Sequence, residues 1–228
     1  MKRALGFAAL CASAACAAPA GSPSTTAVPA ALSVPVRTAP DTSTTLIPAG
    51  YGTLKQDDIA IVLQPDGVRI TAIPLDEPVI RTLAPDAYRA LEARLDSKRR
   101  QIMQRAGQHG VRVPRVWYVV FSGLTADAVF VPTDVTVTSD GRDARPFDVI
   151  PLSAGFGEQR LQPRETQSGL LLFDETVDVT QPITVSTGTE RNTDWEVILH
   201  RLDAERAAIR ARASRAPRDG RPPAVHPT

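Results

Sequence analysis

Residues 59–73 read Ile-Ala-Ile-Val-Leu-Gln-Pro-Asp-Gly-Val-Arg-Ile-Thr-Ala-Ile. An apolar run at 59–63 meets Pro65-Asp66-Gly67, and beyond it Val68, Ile70 and Ala72 alternate with Arg69, Thr71 and Ile73. A period of two sends successive side chains to opposite faces of a strand, and Pro-Asp-Gly is turn chemistry, so the stretch predicts a β-hairpin. Similar short runs recur at 116–121, 129–131, 135–138, 147–152, 169–173 and 183–187. Ser139-Asp140-Gly141-Arg142 is a further turn. Pro132, Pro146, Pro151, Pro163 and Pro182 stand at strand ends, where a missing N–H breaks no ladder bond. Seven or eight short strands with turns between them predict a mainly β chain built as a β-sandwich.

Two amphipathic helices accompany the strands. Pro85 suits a first helical position and Gly107 the residue past an end. Between them Tyr88, Leu91, Leu95 and Ile102 fall at i, i+3, i+7 and i+14, one apolar stripe of a helix over 85–106. The segment 195–199 reads two ways. Trp195, Val197 and Leu199 alternate as a strand would. Thr193-Asp194-Trp195-Glu196 has the form of a capping box, with Trp195, Ile198, Leu202 and Ile209 again in a helical stripe. The longer pattern favours a helix over 194–213.

The flanks differ from this middle. Lys2 and Arg3 precede twelve apolar or small residues from Ala4 to Ala15, too few for the ~20 that a membrane-spanning helix needs but right for an export signal. Ser13-Ala14-Ala15-Cys16 resembles a bacterial lipobox, with Ser13 where leucine is usual. Processing there leaves Cys16 as a lipidated first residue; ordinary cleavage at Ala15-Cys16-Ala17 or Ala18-Pro19-Ala20 is the alternative. Residues 16–45 carry five prolines among Ser, Thr and Ala and predict a disordered tether reaching about 30 Å. One folded domain over 46–213 and a basic tail over 214–228 complete the order. The predicted location is the cell envelope, anchored by lipid on the periplasmic face of an outer membrane or at the cell surface; a soluble exported protein is the alternative.

Charge and motifs narrow the function classes. The chain of 228 residues has a net charge of +1, which gives no case for nucleic acid. There is no Gly-x-Ser-x-Gly, His-Glu-x-x-His or Gly-Lys-Ser/Thr, and His109, His200 and His226 are scattered, so no cofactor, metal or catalytic residue is assigned. The clusters Asp140 with Asp143, and Asp174 with Glu175 and Asp178, read as solvated turns before they read as calcium ligands. Trp117, Phe121 and Trp195 lie on the apolar phase of their elements and read as core. The helix at 85–106 bears six basic residues against three acidic ones. Arg94, Lys98, Arg99 and Arg105 on it are the candidate partner-binding residues, against the plainer reading of a solvated face.

Gln162-Pro163-Arg164-Glu165-Thr166-Gln167-Ser168-Gly169-Leu170-Leu171-Leu172-Phe173, with the proline-led strand Pro182-Ile183 to Thr187, resembles the immunoglobulin-like (telokin-like) domains of bacterial extracytoplasmic lipoproteins. The likeness spans about residues 115–190. It implies an immunoglobulin-like sandwich and a binding or structural module, with no catalytic residues to carry over. Three functions compete: a non-enzymatic envelope lipoprotein that binds a protein or an anionic envelope component, a small-ligand carrier with a helix-capped cavity, and a hydrolase whose triad spacing hides. An exposed apolar patch favours the first, a closed apolar pocket the second, and a buried Ser or Asp beside a histidine the third.

The only cysteines are Cys11, inside the export signal, and Cys16. The exported chain therefore folds on its core alone. Its melting temperature should be the same with and without reductant, and a large drop on reduction would contradict this account.

Overall fold

The computed structural model describes residues 47–215. The export signal, Cys16, the tether and the tail beyond Arg215 lie outside the described residues. Among those described, the chain is mainly β: three antiparallel sheets with helices packed around them.

The hairpin forms as its sequence requires. Strands β1 (Ile61–Leu63) and β2 (Val68–Pro74) pair with Ile61 opposite Ala72 and Leu63 opposite Ile70. The turn closes through Val68 N–H donating to Pro65 O at 2.8 Å, with Asp66 and Gly67 both at positive φ. From β2 the chain leaves through α1 (Glu77–Ile80) and α2 (Pro85–Gln108) and returns as β3 (Arg115–Gly123), antiparallel to β2. Downstream, β4 (Ala128–Val129), β5 (Thr136–Ser139), β6 (Arg142–Ala144), β7 (Asp148–Pro151), β8 (Arg160–Leu161), β9 (Thr166–Phe173), β10 (Ile183–Thr187) and β11 (Glu190–Asn192) follow in order. The five-stranded sheet runs β1-β2-β3-β9-β7, the four-stranded one β11-β10-β5-β6, and β4 with β8 makes a two-stranded ribbon.

Residues directly opposite in an antiparallel pair share a face. Trp117, Val119 and Phe121 of β3 therefore share one with Leu171, Gly169 and Gln167 of β9. That face joins Val137 of β5 and Val185 of β10 in one buried core, a sandwich-like arrangement of the two larger sheets. Phe121 stacks on Phe130 with ring centres 4.4 Å apart, and Phe156 meets both edge-on at 5.8 and 5.5 Å. Gly169 makes room for Phe156, since a Cβ there would lie 2.7 Å from its ring. The opposite face of β3, with Val116 and Tyr118, carries α2: Arg94 lies over the Tyr118 ring at 5.1 Å, and His109 packs on Phe147 at 5.1 Å.

Several boundaries differ from those expected. Helix α2 runs past 106 to Gln108, so Gly107 lies inside its last turn. Gly110, at φ +72, takes the left-handed position instead. Val111 N–H donates to Ala106 O and Gly110 N–H to Gly107 O, the two bonds of a Schellman end. There is no strand at 195–199: α3 (Trp195–Arg215) starts there and passes residue 213. It begins directly after Asp194, so Thr193 is not its cap; Asp194 instead exchanges hydrogen bonds with the Asn192 side chain at 2.8 and 3.0 Å. Strands β6, β8 and β11 carry no apolar alternation, being short and mostly polar, and tight turns or neighbouring strands impose their pairing. The Asp140-Gly141 turn, with both residues at positive φ, aligns β6 on β5 in this way.

Helix α3 docks through Trp195, Ile198, Leu202 and Ile209, all buried. The Trp195 indole N–H donates to Val179 O at 3.0 Å, so its burial leaves no orphaned donor. Trp195→Ala should destabilise the protein by about 3–5 kcal/mol in urea unfolding. Val197→Ser, at a position 61% exposed, should change it by less than about 0.5 kcal/mol. A Trp195→Ala change as small as the Val197 one would refute this docking.

Candidate functional site

The four basic residues singled out on α2 do not form one surface. At about 100° per residue, Arg94, Lys98 and Arg105 fall within about 40° of each other, and Arg99 lies roughly 100° or more away. Two members of the first group, though partly exposed, are engaged by neighbouring groups. Arg94 donates to Ala90 O at 3.0 Å in addition to covering Tyr118, and Arg105 Nη1 lies 3.3 Å from Asp148 Oδ2. Arg99 is held by Asp96 in a contact of 2.5 Å, which raises its affinity for its proton. Lys98 makes no ion pair among the described residues. The expected basic face is thus split by helix geometry into two flanks, and on one of them Arg94 and Arg105 also contact the sheet beneath.

On the Arg99 flank the structure opens a groove of about 190 Å³. Leu95, Ile102 and Met103 of α2 form one wall, and Leu75, Pro114 and Val116 the other; Asp76 and Arg99 are its polar groups. Met103 at the groove is 53% exposed, and Val113, next to Pro114, is 58% exposed. The groove is apolar, open on one side, and smaller than the ~300–1,000 Å³ typical of small-ligand pockets.

Asp76 stands where β2 hands over to α1, and Arg115 where α2 hands over to β3. Arg115 Nη1 donates to Asp76 Oδ1 at 2.6 Å, tying the two ends of the helical excursion together. Asp76 Oδ2 and Arg115 Nε are buried without a partner. Burial pushes the Asp76 carboxyl above its ordinary value, more strongly than Arg115 pulls it down, and Asp178 adds to the rise. A second anchor lies under α3. Glu205 accepts from Thr53 N–H at 2.8 Å, Thr53 Oγ1 at 2.9 Å and Arg212 Nη1 at 2.8 Å. Burial opposes its ionisation, but the bonds from Arg212 and Thr53 outweigh it and hold the carboxyl below its ordinary value.

The remaining candidates resolve into structure. Asp174 accepts from Thr176 N–H at 3.0 Å, Asp178 from Thr180 N–H at 2.9 Å and Asp143 from Thr138 Oγ1 at 2.7 Å, so these carboxylates brace their own turns and strands. Among the described residues no three His, Cys, Asp or Glu side chains gather as a metal site. His109 Nε2 lies 4.0 Å from Asp148 Oδ2, but that carboxylate also faces Arg105, and no hydroxyl hydrogen-bonds to His109 or His200 among the described residues. Trp117, Phe121 and Trp195 are fully buried, as their phase in the sequence required.

Asp76, Arg115 and Met103 were not singled out from sequence. Asp76 and Arg115 are 39 positions apart and carry no shared pattern. Met103 did leave a trace: it is apolar, yet it follows Ile102 off the stripe, on a helix otherwise lined with charge. No helix of the described residues is long and apolar enough to cross a membrane. No protein-family model, curated protein or solved structure matches the chain.

The raised Asp76 carboxyl has a consequence with a definite sign. The folded chain holds this proton more tightly than the unfolded one, so the group's contribution to stability falls as pH rises upward from 3.8. In urea unfolding between about pH 3.5 and about pH 7, the wild type should lose stability relative to Asp76→Asn as pH increases. A constant difference across that range would show that Asp76 carries no such shift.

Proposed function

We propose that the protein is a non-enzymatic, immunoglobulin-like binding module of the bacterial cell envelope, anchored to a membrane by a lipid on Cys16. The observation that carries the binding half of this reading is the open apolar groove beside α2, with Met103 and Val113 left more than half exposed. An apolar groove that the fold leaves open and borders with charge is suited to receiving part of a partner protein. The small, one-sided groove does not favour a carrier of free ligands, which encloses most of its cargo. The immunoglobulin-like class draws support from the antiparallel sheets that share a core, and α1 with α2 is its largest departure from the plain pattern. The envelope assignment rests on the export signal and on Ser13-Ala14-Ala15-Cys16.

Feeding cells a clickable palmitate analogue should label the wild type and not Cys16→Ser, and the variant should move to the soluble fraction. Chemical cross-linking of intact cells should trap the wild type in a discrete heteromeric species. An unlabelled wild type would remove the anchor from this reading, and the lack of any cross-linked species would remove the binding role.

A further inference from the structure

The geometry points to a side-chain anchor pocket: the groove beside α2 receives one aliphatic side chain of a partner protein segment, with an adjacent Asp or Glu of that segment pairing with Arg99. The inference rests on the binding-module reading and names the kind of partner that reading leaves open. Size comes first. A volume of about 190 Å³ holds roughly six water-sized groups at ~30 Å³ each, enough to admit the four carbons of one leucine or isoleucine side chain but not a second such side chain. Interfaces concentrate their binding energy in such single anchors set into small dry pockets.

Wall chemistry comes second. Leu95, Ile102 and Val116 supply a fixed apolar floor, and Met103 at the lip supplies an unbranched, polarizable side chain that adapts to its guest. Charge is the third argument. Asp76 is bonded to Arg115 through Oδ1 and its other oxygen is buried, so the exposed charge bordering the groove is Arg99. Its partner Asp96 is itself 53% exposed, and an exposed pair of this kind is held by no more than about 1 kcal/mol. An incoming carboxylate can replace Asp96 at little cost, whereas a lysine beside the anchor would gain nothing from Arg99. A membrane surface is the poorer guest, because Arg94 and Arg105 are engaged by the sheet and leave Arg99 as the cation that borders the groove.

The test is selection of a random-peptide library on the immobilised whole protein, followed by affinity measurements with the selected peptides. Enriched peptides should share an aliphatic residue next to Asp or Glu. Met103→Lys should weaken them about tenfold or more. Arg99→Glu should weaken them similarly and should regain affinity for peptides in which the acidic residue is replaced by lysine. Lys98→Glu, on the other flank, should leave binding unchanged, and all three variants should melt as the wild type does. Peptides that bind but ignore both Met103→Lys and Arg99→Glu would overturn this inference and leave the binding-module reading standing. Displacement of bound peptide by hexanoate at concentrations comparable to the peptide's own affinity would also overturn it, in favour of a small-carboxylate site. If no peptide is enriched, the anchor-pocket inference falls, and the cross-linking of intact cells decides the binding-module reading separately.

Discussion

Strand β3 has to be apolar on two sides, and the rest of the molecule is arranged around that requirement. It pairs with β2 along one edge and β9 along the other. Its Trp117, Val119 and Phe121 are fully buried on the face that meets the second sheet. Burying side chains of this size contributes about 1.5–3 kcal/mol each, which outweighs even the buried Trp117 indole N–H that finds no acceptor. The other face still presents Val116 and Tyr118, apolar groups that would meet water if nothing covered that side of the sheet. The 40 residues between β2 and β3, 75–114, answer this by folding back as α1 and α2 across that face.

The helical excursion is what gives the protein a surface with distinct flanks. Because α2 must sit over Tyr118 and beside Asp148, Arg94 and Arg105 are committed to the sheet. The opposite flank is less completely covered, and the gap between Leu95, Ile102 and the start of β3 becomes the groove. The Asp76–Arg115 pair at its base joins the two points where the chain leaves and re-enters the sheet. Breaking such a pair by removing one partner strands the other charge, whereas keeping it holds the mouth of the excursion at a set width.

Helix α3 closes the other end of the described chain by a different device. Trp195 is an apolar plug with its one polar atom satisfied by Val179 O. Glu205 gathers Thr53 and Arg212, and Arg206 donates to Pro78 O, so the helix grips both the approach to β1 and the short helix α1. Gly52 lies so close to Thr82 that a Cβ there would sit 2.2 Å from its carbonyl oxygen. Glu205 adds stability that is present above 4.5 and is lost as pH falls through its lowered folded value, the reverse of the trend at Asp76.

Local pattern was enough for the hairpin at 59–73, for β3, β5, β7, β9 and β10, and for the two long helices, because each writes its period into consecutive residues. It was enough, too, to place Trp117, Phe121 and Trp195 in the core and to read Asp140-Gly141 as a turn. The ends of α2 and α3 escaped: Gly110, not Gly107, takes the left-handed position after α2, and α3 begins after Asp194 with no cap from Thr193. The polar strands β6, β8 and β11 escaped because pairing partners, not their own side chains, make them strands. What the tertiary structure alone decided is the functional surface. A helical stripe says which side of α2 faces inward, but only the sheet beneath determines that Arg94 and Arg105 are spent on Tyr118 and Asp148 while Arg99 and Met103 border an open groove. Asp76 and Arg115 meet for the same reason: β2 and β3 are neighbours, and a strand pairing brings together residues that the chain keeps 39 positions apart.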